Sequence, residues 1–218
     1  MRKGLFAVLV CALFGATAQP ALASPLQVQV TGTISTTLGP FTAGDNFLIT
    51  VSVESTTPDL EIFPWTGHYM TGLFTFTSPG YSATSPNALL YIFPEAPDTF
   101  GIFASQAVGL TGASVNGESL GWINARLEDH DGNPFSTDAL PTQLNSSTFE
   151  ATALSIYFCT SFSGSLTGGT CHGPLELSGV VNTATMAAVP EPATFSLIAL
   201  GLAGIGGKRW RQRTSSSR

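Results

Sequence analysis

The densest group of side chains that could do chemistry lies in the stretch LEDHDGNPFSTD, residues 127–138. Five of its residues offer oxygen ligands at short spacing: Glu128, Asp129, Asp131, Asn133 and Asp138. Hard cations such as Ca²⁺ bind several such oxygens. The stretch departs from an EF-hand loop, because Pro134 and Leu140 stand where that loop needs glycine and glutamate. We expect a solvated turn, with calcium binding as the alternative, and no other cofactor.

Carboxylates could also catalyse glycoside hydrolysis, as a pair facing each other across a cleft about 5 to 10 Å wide. Glu118, Glu128 and Asp131 are the candidates for such a pair. The chain's three histidines occur in turn-like sequence, where solvated loop residues are expected: His68, His130 and His172. Because the chain also lacks a nucleophile elbow and a phosphate-binding glycine loop, we predict no catalytic residue.

Cys159 and Cys171 flank the stretch TSFSGSLTGGT, whose glycines and serines suit a loop between two strands. In an exported chain such a pair is expected to form a disulfide, and two free thiols are the alternative. Neither cysteine is expected to bind zinc, since His172 is the only histidine nearby.

The charge of the chain is unevenly distributed. Its net charge is −6, yet the stretch between Ser24 and Val189 contains thirteen of the 14 acidic residues and only one basic residue, Arg126. The net charge of this body is therefore about −12. Such a body repels phosphate backbones, so nucleic-acid binding is not expected, whereas cations and neutral polymers are suitable partners.

Apolar and polar residues alternate with the period of half-buried strands along most of the body. The pattern predicts strands at residues 26–35, 47–53, 70–76, 88–93, 100–104, 147–158 and 174–181. Turn sequences separate them, and no stretch keeps a helical period for three turns. Eight or nine strands in residues 24–181 predict one all-β domain, an antiparallel, jelly-roll-like β-sandwich rather than a closed barrel. Three aromatic residues could stack on sugars if exposed, although strand aromatics are more often core: Trp65, Tyr69 and Trp122.

Residues 1–23 have the three parts of a secretory signal peptide. Arg2 and Lys3 precede an apolar core at residues 5–14, and Ala21-Leu22-Ala23 provides a cleavage site. The apolar core is about half the length that a bilayer-spanning helix needs. We therefore predict export of the chain and removal of this segment.

The carboxyl-terminal segment has a different composition. A polar linker is expected at residues 182–189, followed by Pro190, Glu191 and Pro192 and then by fifteen uncharged residues, 193–207. A helix of fifteen residues is about 22 Å long, shorter than a hydrocarbon core of about 30 Å. Basic residues follow, which orient a short transmembrane helix with its end in the cytoplasm: Lys208, Arg209, Arg211 and Arg213.

The proline-glutamate-proline triplet, the short apolar segment and the basic cluster together resemble the PEP-CTERM sorting signal of Gram-negative bacterial surface proteins, here at residues 190–213. The resemblance implies recognition by exosortase, a membrane cysteine protease that cleaves near the triplet, and an association with exopolysaccharide. More loosely, Thr31-Gly32-Thr33, Phe41, Gly44-Asp45 and Phe47 are similar to the β-rich domains that often precede this signal. That likeness implies a β-sandwich and no catalytic residues.

Two functions follow from this reading. The first is a non-enzymatic surface or matrix protein, anchored in the membrane through its tail and then retained at the cell surface or released into exopolysaccharide. The second is a secreted carbohydrate-active or other hydrolytic enzyme on a β-sandwich. The sequence favours the first, because the tail carries a specific signal and no active site is evident.

Overall fold

The computed structural model describes residues 25–189, except residues 62, 64, 96, 132, 133, 166 and 167. The predicted signal peptide, sorting triplet, transmembrane segment and basic cluster lie outside the described residues. The described body belongs to one compact unit that ends at Ala188.

The body is all-β, as the alternating sequence predicts. Its fourteen described strands are β1 Pro25–Ile34, β2 Asn46–Glu54, β3 Gly67–Met70, β4 Phe74–Ser78, β5 Tyr81–Ser85, β6 Leu89–Phe93, β7 Asp98–Ser105, β8 Thr111–Gly112, β9 Ser119–Asp129, β10 Leu144–Asn145, β11 Ala151–Cys159, β12 Ser161–Ser165, β13 Gly168–His172 and β14 Leu175–Ala188. Two short 3-10 helices span Gln106–Val108 and Ser146–Thr148. The predicted strand at residues 70–76 is divided into β3 and β4, and β9 was not predicted.

Twelve strands form one antiparallel sheet, in the order β3-β6-β7-β9-β11-β14-β1-β2-β4-β5-β8, with β10 paired to β14. The remaining two, β12 and β13, form a separate hairpin. The predicted two-sheet, jelly-roll-like sandwich is therefore wrong. Alternation in the sequence shows which face of a strand is buried, but it does not determine which strands pair.

The sheet curls into a half-barrel around its buried face. Tyr81 in β5 and Phe158 in β11 are five strand spacings apart, about 24 Å in a flat sheet. Their ring centroids are only 5.9 Å apart, and Phe41 packs between them at 4.8 Å from Tyr81 and 6.2 Å from Phe158. Burial of these rings brings distant parts of the sheet together, so one sheet encloses a core.

The last strand, β14, lies in the middle of the sheet. It pairs with β1 from Leu26 opposite Ala188 to Ile34 opposite Gly179, and with β11 on its other side. Residues 182–188 belong to this strand, so the predicted linker is wrong over these positions. Ala184 and Met186 are buried, and the intervening small polar residues suit the exposed face of a strand.

Candidate functional site

A groove of about 450 Å³ lies on the face of the sheet that points away from the core, across β3, β6, β7 and β9. We call it the outer groove and define it by its lining residues: His68, Leu89, Tyr91, Phe93, Thr99, Phe103, Asn124 and Arg126. The strand register places them on one face, because His68, Tyr91, Gly101 and Arg126 form one cross-strand row. The intervening residues Ile92, Phe100 and Ile102 point into the core.

Tyr91 forms the floor of the outer groove. A Cβ atom at Gly101 would lie 2.0 Å from its Cζ atom, so the glycine leaves the space in which the ring crosses β7. The Tyr91 hydroxyl donates a hydrogen bond of 2.9 Å to Asn124 Oδ1 on β9. Burial raises the pKa of Tyr91 to about 12, so the phenol remains protonated and keeps this bond at neutral pH.

Polar groups lie on both sides of this floor. Arg126 is 48 % exposed, and its Nε atom lies 3.2 Å from Glu128 Oε1, so its charge is balanced locally. On the opposite side, His68 Nδ1 lies 3.0 Å from Glu61 Oε1 and its ring meets Phe93 edge-on. The prediction of a solvated loop histidine is wrong for His68, which lies in β3 with 14 % of its side chain exposed. The outer groove therefore combines aromatic rings with hydrogen-bonding groups.

An aromatic row extends the outer groove along the same face. Phe103 contacts Trp122 with ring centroids 5.8 Å apart, and Trp122 stacks on Tyr157 of β11 at 4.0 Å. Trp122 and Tyr157 are both partly exposed. Burial, followed by the neighbouring Glu176, raises the pKa of Tyr157, so this ring also carries a neutral hydroxyl. Stacked, partly exposed rings beside polar groups offer suitable surfaces for sugar rings.

The other two predicted stacking residues lie elsewhere. Tyr69 is only 5 % exposed and its hydroxyl donates to the Asp138 carbonyl oxygen, so it belongs to the core. Trp65 is 48 % exposed and stacks on Phe63 at 5.1 Å, and it is not among the residues that line the outer groove.

The structure separates the five predicted calcium ligands. Asp129 and Asp131 lie together, and with Glu150 they bring carboxylate oxygens within 4.8 Å of one another. Glu128 pairs with Arg126 on the outer face, and Asp138 lies beside Tyr69. Asn133 is outside the described residues. Glu150 was missed because it is 12 positions beyond the predicted stretch, and only the pairing of β9 with β11 brings it close.

The predicted disulfide between Cys159 and Cys171 is confirmed. The two Cα atoms are 5.3 Å apart, and the bridge joins the end of β11 to the β12–β13 hairpin. A Cβ atom at Gly121 would lie 2.3 Å from Cys159 Sγ. Gly121 is the extra residue where the β9–β11 register shifts, so the bridge packs on a β-bulge.

The predicted sorting residues lie beyond residue 189, outside the part of the chain that the structure describes: Pro190, Glu191, Pro192, Lys208, Arg209, Arg211 and Arg213. No helix among the described residues is long and apolar enough to span a membrane. No curated protein matches the chain, and no solved structure matches it. A family model for the PEP-CTERM protein-sorting motif matches residues 188–212, which include the predicted triplet. The chain therefore carries the PEP-CTERM sorting motif, and this motif implies export and sorting at the membrane.

Proposed function

We propose that this chain is a cell-surface or extracellular-matrix protein that an exosortase-type membrane protease processes near Pro190–Pro192, and that its body binds exopolysaccharide. The match to the PEP-CTERM motif at residues 188–212 carries this proposal. The predicted signal peptide at the opposite end of the chain agrees with it.

The sequence of the triplet suits proteolysis. A residue before proline is restricted to extended geometry, and Pro192 has no amide donor for a helix, so both prolines disfavour helix around Glu191. The apolar segment and basic cluster are sufficient for membrane insertion, to which Glu191 adds nothing. Recognition by a protease therefore accounts for an acidic residue at this place.

The outer groove supports the binding of a polysaccharide. Its aromatic rings can stack on the apolar faces of sugars, and Asn124, Thr99 and His68 can hydrogen-bond to hydroxyls. The body is strongly acidic and Arg126 is already paired with Glu128, so a neutral polymer fits better than a polyanion.

The outer groove also favours binding over hydrolysis. Hydrolysis of a glycoside needs two carboxyl groups facing the bond, and no Asp or Glu is among the described residues that line this groove. We therefore propose a binding role for the body, and the hydrolase remains the alternative that the binding assay below also tests.

Processing of the tail can be tested with Glu191→Ala in a host that contains an exosortase. We expect the parent to yield a form that lacks residues 1–23 and the tail beyond the triplet, whereas the variant accumulates in the membrane as the longer form. Glu54→Ala, at an exposed acid of β2, is the matched control and should be processed like the parent. Mass spectrometry of each product measures both cuts. Equal processing of Glu191→Ala and the parent would contradict a role for the triplet.

Binding can be tested by electrophoresis of the detergent-purified full chain through gels that contain a neutral glucan. We expect the glucan to retard the parent, and we expect Phe93→Ala and Trp122→Ala each to weaken binding about fivefold, since one stacked ring contributes about 1 kcal/mol. Trp65→Ala should bind like the parent. Retardation by alginate but not by glucan, or shortening of the glucan during the run, would contradict neutral-polymer binding without hydrolysis.

A further inference from the structure

Two buried carboxylates lie side by side at one end of the sheet. Asp98 in β7 is directly opposite Asp129 in β9, and both side chains point to the buried face. Asp98 is 1 % exposed and Asp129 is 3 % exposed. Directly opposed side chains have Cβ atoms about 5 Å apart, a distance at which like charges destabilise a sheet.

Two further carboxylates join Asp129 at the same end. Asp131 follows in the loop after β9, where its N–H donates to Asp129 Oδ1 at 3.1 Å. Glu150 precedes β11, and its N–H donates to the Glu128 carbonyl oxygen at 3.0 Å, which fixes it beside β9. These three residues line a pocket of about 330 Å³ with Pro134, Ser147 and Thr148. Their carboxylate oxygens all lie within 4.8 Å of one another.

The environment of Asp98 independently indicates that a positive charge is bound at this end of the sheet. Its Oδ2 atom accepts a 3.1 Å hydrogen bond from the N–H of Phe135, next to the pocket residue Pro134, so the carboxylate reaches the loop that carries Asp131. Its buried Oδ1 atom has no hydrogen-bond partner. An ionised carboxylate is costly to bury unless it is paired or close to a metal ion.

Protein cations do not supply that charge. Arg126 is the only lysine or arginine between residues 24 and 189, and it points to the outer face, where it pairs with Glu128. His130 follows Asp129 directly but is exposed to solvent. Four carboxylates are therefore gathered at this end of the sheet, two of them buried, whereas the one arginine of the described residues lies on the opposite face.

We propose that Asp129, Asp131 and Glu150 bind one Ca²⁺ ion, whose charge also neutralises the buried Asp98. All three ligands are hard oxygen donors, which select hard cations over zinc or copper. One ligand comes from a strand end, one from a loop and one from the residue before another strand. Ca²⁺ tolerates such irregular spacing, whereas Mg²⁺ needs a near-ideal octahedron. Water and the hydroxyls of Ser147 and Thr148 can fill its remaining positions.

Calorimetric titration of the detergent-purified, EDTA-treated full chain with CaCl₂ tests this site. We expect one ion per chain with a Kd on the order of 10⁻⁴ M, as in other extracellular modules, and a rise in the unfolding midpoint when calcium is added. Asp131→Asn and Glu150→Gln replace exposed ligands and should each weaken binding at least tenfold. Asp138→Asn, a change in the same acidic stretch beside Tyr69, should bind like the parent.

Circular dichroism of the calcium-free variants checks that they remain folded. The proposal is overturned if the parent neither binds calcium nor is stabilised at 10 mM, on the order of ten times the weakest Kd of such modules. It is also overturned if Asp131→Asn and Glu150→Gln both bind like the parent, or if Asp138→Asn loses binding to the same extent. An equal midpoint shift with MgCl₂ would contradict the assignment to calcium.

Discussion

Removal of the disulfide should destabilise the body by about 3 kcal/mol. The sequence separation of 12 between Cys159 and Cys171 gives this value at 25 °C from the loop entropy that the bridge removes from the unfolded chain. In a body of about 165 residues such a loss lowers the unfolding midpoint by about 6 to 12 °C. The variant Cys159→Ala/Cys171→Ser avoids placing a hydroxyl at the buried position 159, which is 1 % exposed.

Urea unfolding of the detergent-purified full chain, followed by tryptophan fluorescence, measures this change. The reduced parent is the control, since it loses the cross-link and keeps both sulfur atoms packed against Gly121. It should unfold near the urea concentration of the variant, and reductant should not affect the variant further. A difference below about 1 kcal/mol between oxidised and reduced parent would refute the loop-entropy argument.

The position of the bridge also predicts which part of the body loses its structure first when the disulfide is reduced. The β12–β13 hairpin pairs with no strand of the main sheet, and the bridge joins it covalently to the end of β11. Reduction should therefore expose residues 161–172 to limited proteolysis before the rest of the body. Simultaneous cleavage throughout the body would show that the bridge supports the whole sheet instead.

Three further outcomes follow from packing. Gly101→Ala should cost about 1 to 3 kcal/mol in urea unfolding and weaken glucan binding, because its Cβ would meet the Tyr91 ring; Gly168→Ala, with open space around it, is the control. Phe41→Ala should cost about 3 to 5 kcal/mol by the same assay, since the ring is fully buried among other rings. Burial raises the pKa of three tyrosines to about 12, against about 10 when unfolded, so stability should fall between pH 10 and 12. Absorbance at 295 nm should then show these phenolates forming near pH 12 in the folded protein and near pH 10 in urea: Tyr69, Tyr81 and Tyr91.

The sequence predicts local structure well where one face of a strand is buried. Alternation identified β1, β2 and β14, and the spacing of the cysteines indicated the bridge. The same signal is present in β9, where Ile123, Ala125 and Leu127 alternate with polar residues. That alternation also places Asp129 on the buried face, although the stretch at residues 127–138 was predicted to be a solvated turn.

Long-range pairing explains what the sequence could not predict. Tyr91 and Asn124 are 33 positions apart, and they meet only because β6, β7 and β9 are neighbours. The role of Gly101 also depends on long-range pairing. A glycine in a strand indicates that another group approaches the backbone closely, but it does not identify that group. Contacts such as that between Tyr81 and Phe158 hold one sheet in a curl around the core. Alternation along the sequence does not reveal such contacts, so it could not predict the number of sheets.

The position of β14 determines how the body resists a pulling force. The sorting tail follows this strand in the sequence, and the strand is paired to β1 on one side and to β11 and β10 on the other. Ladder hydrogen bonds run perpendicular to the strands, so tension applied at Ala188 along the strand axis loads many of them in shear at once. An edge strand such as β3 or β8 would instead be peeled away one bond at a time. A force that the tail transmitted along this axis would therefore act in the direction in which the sheet resists most strongly.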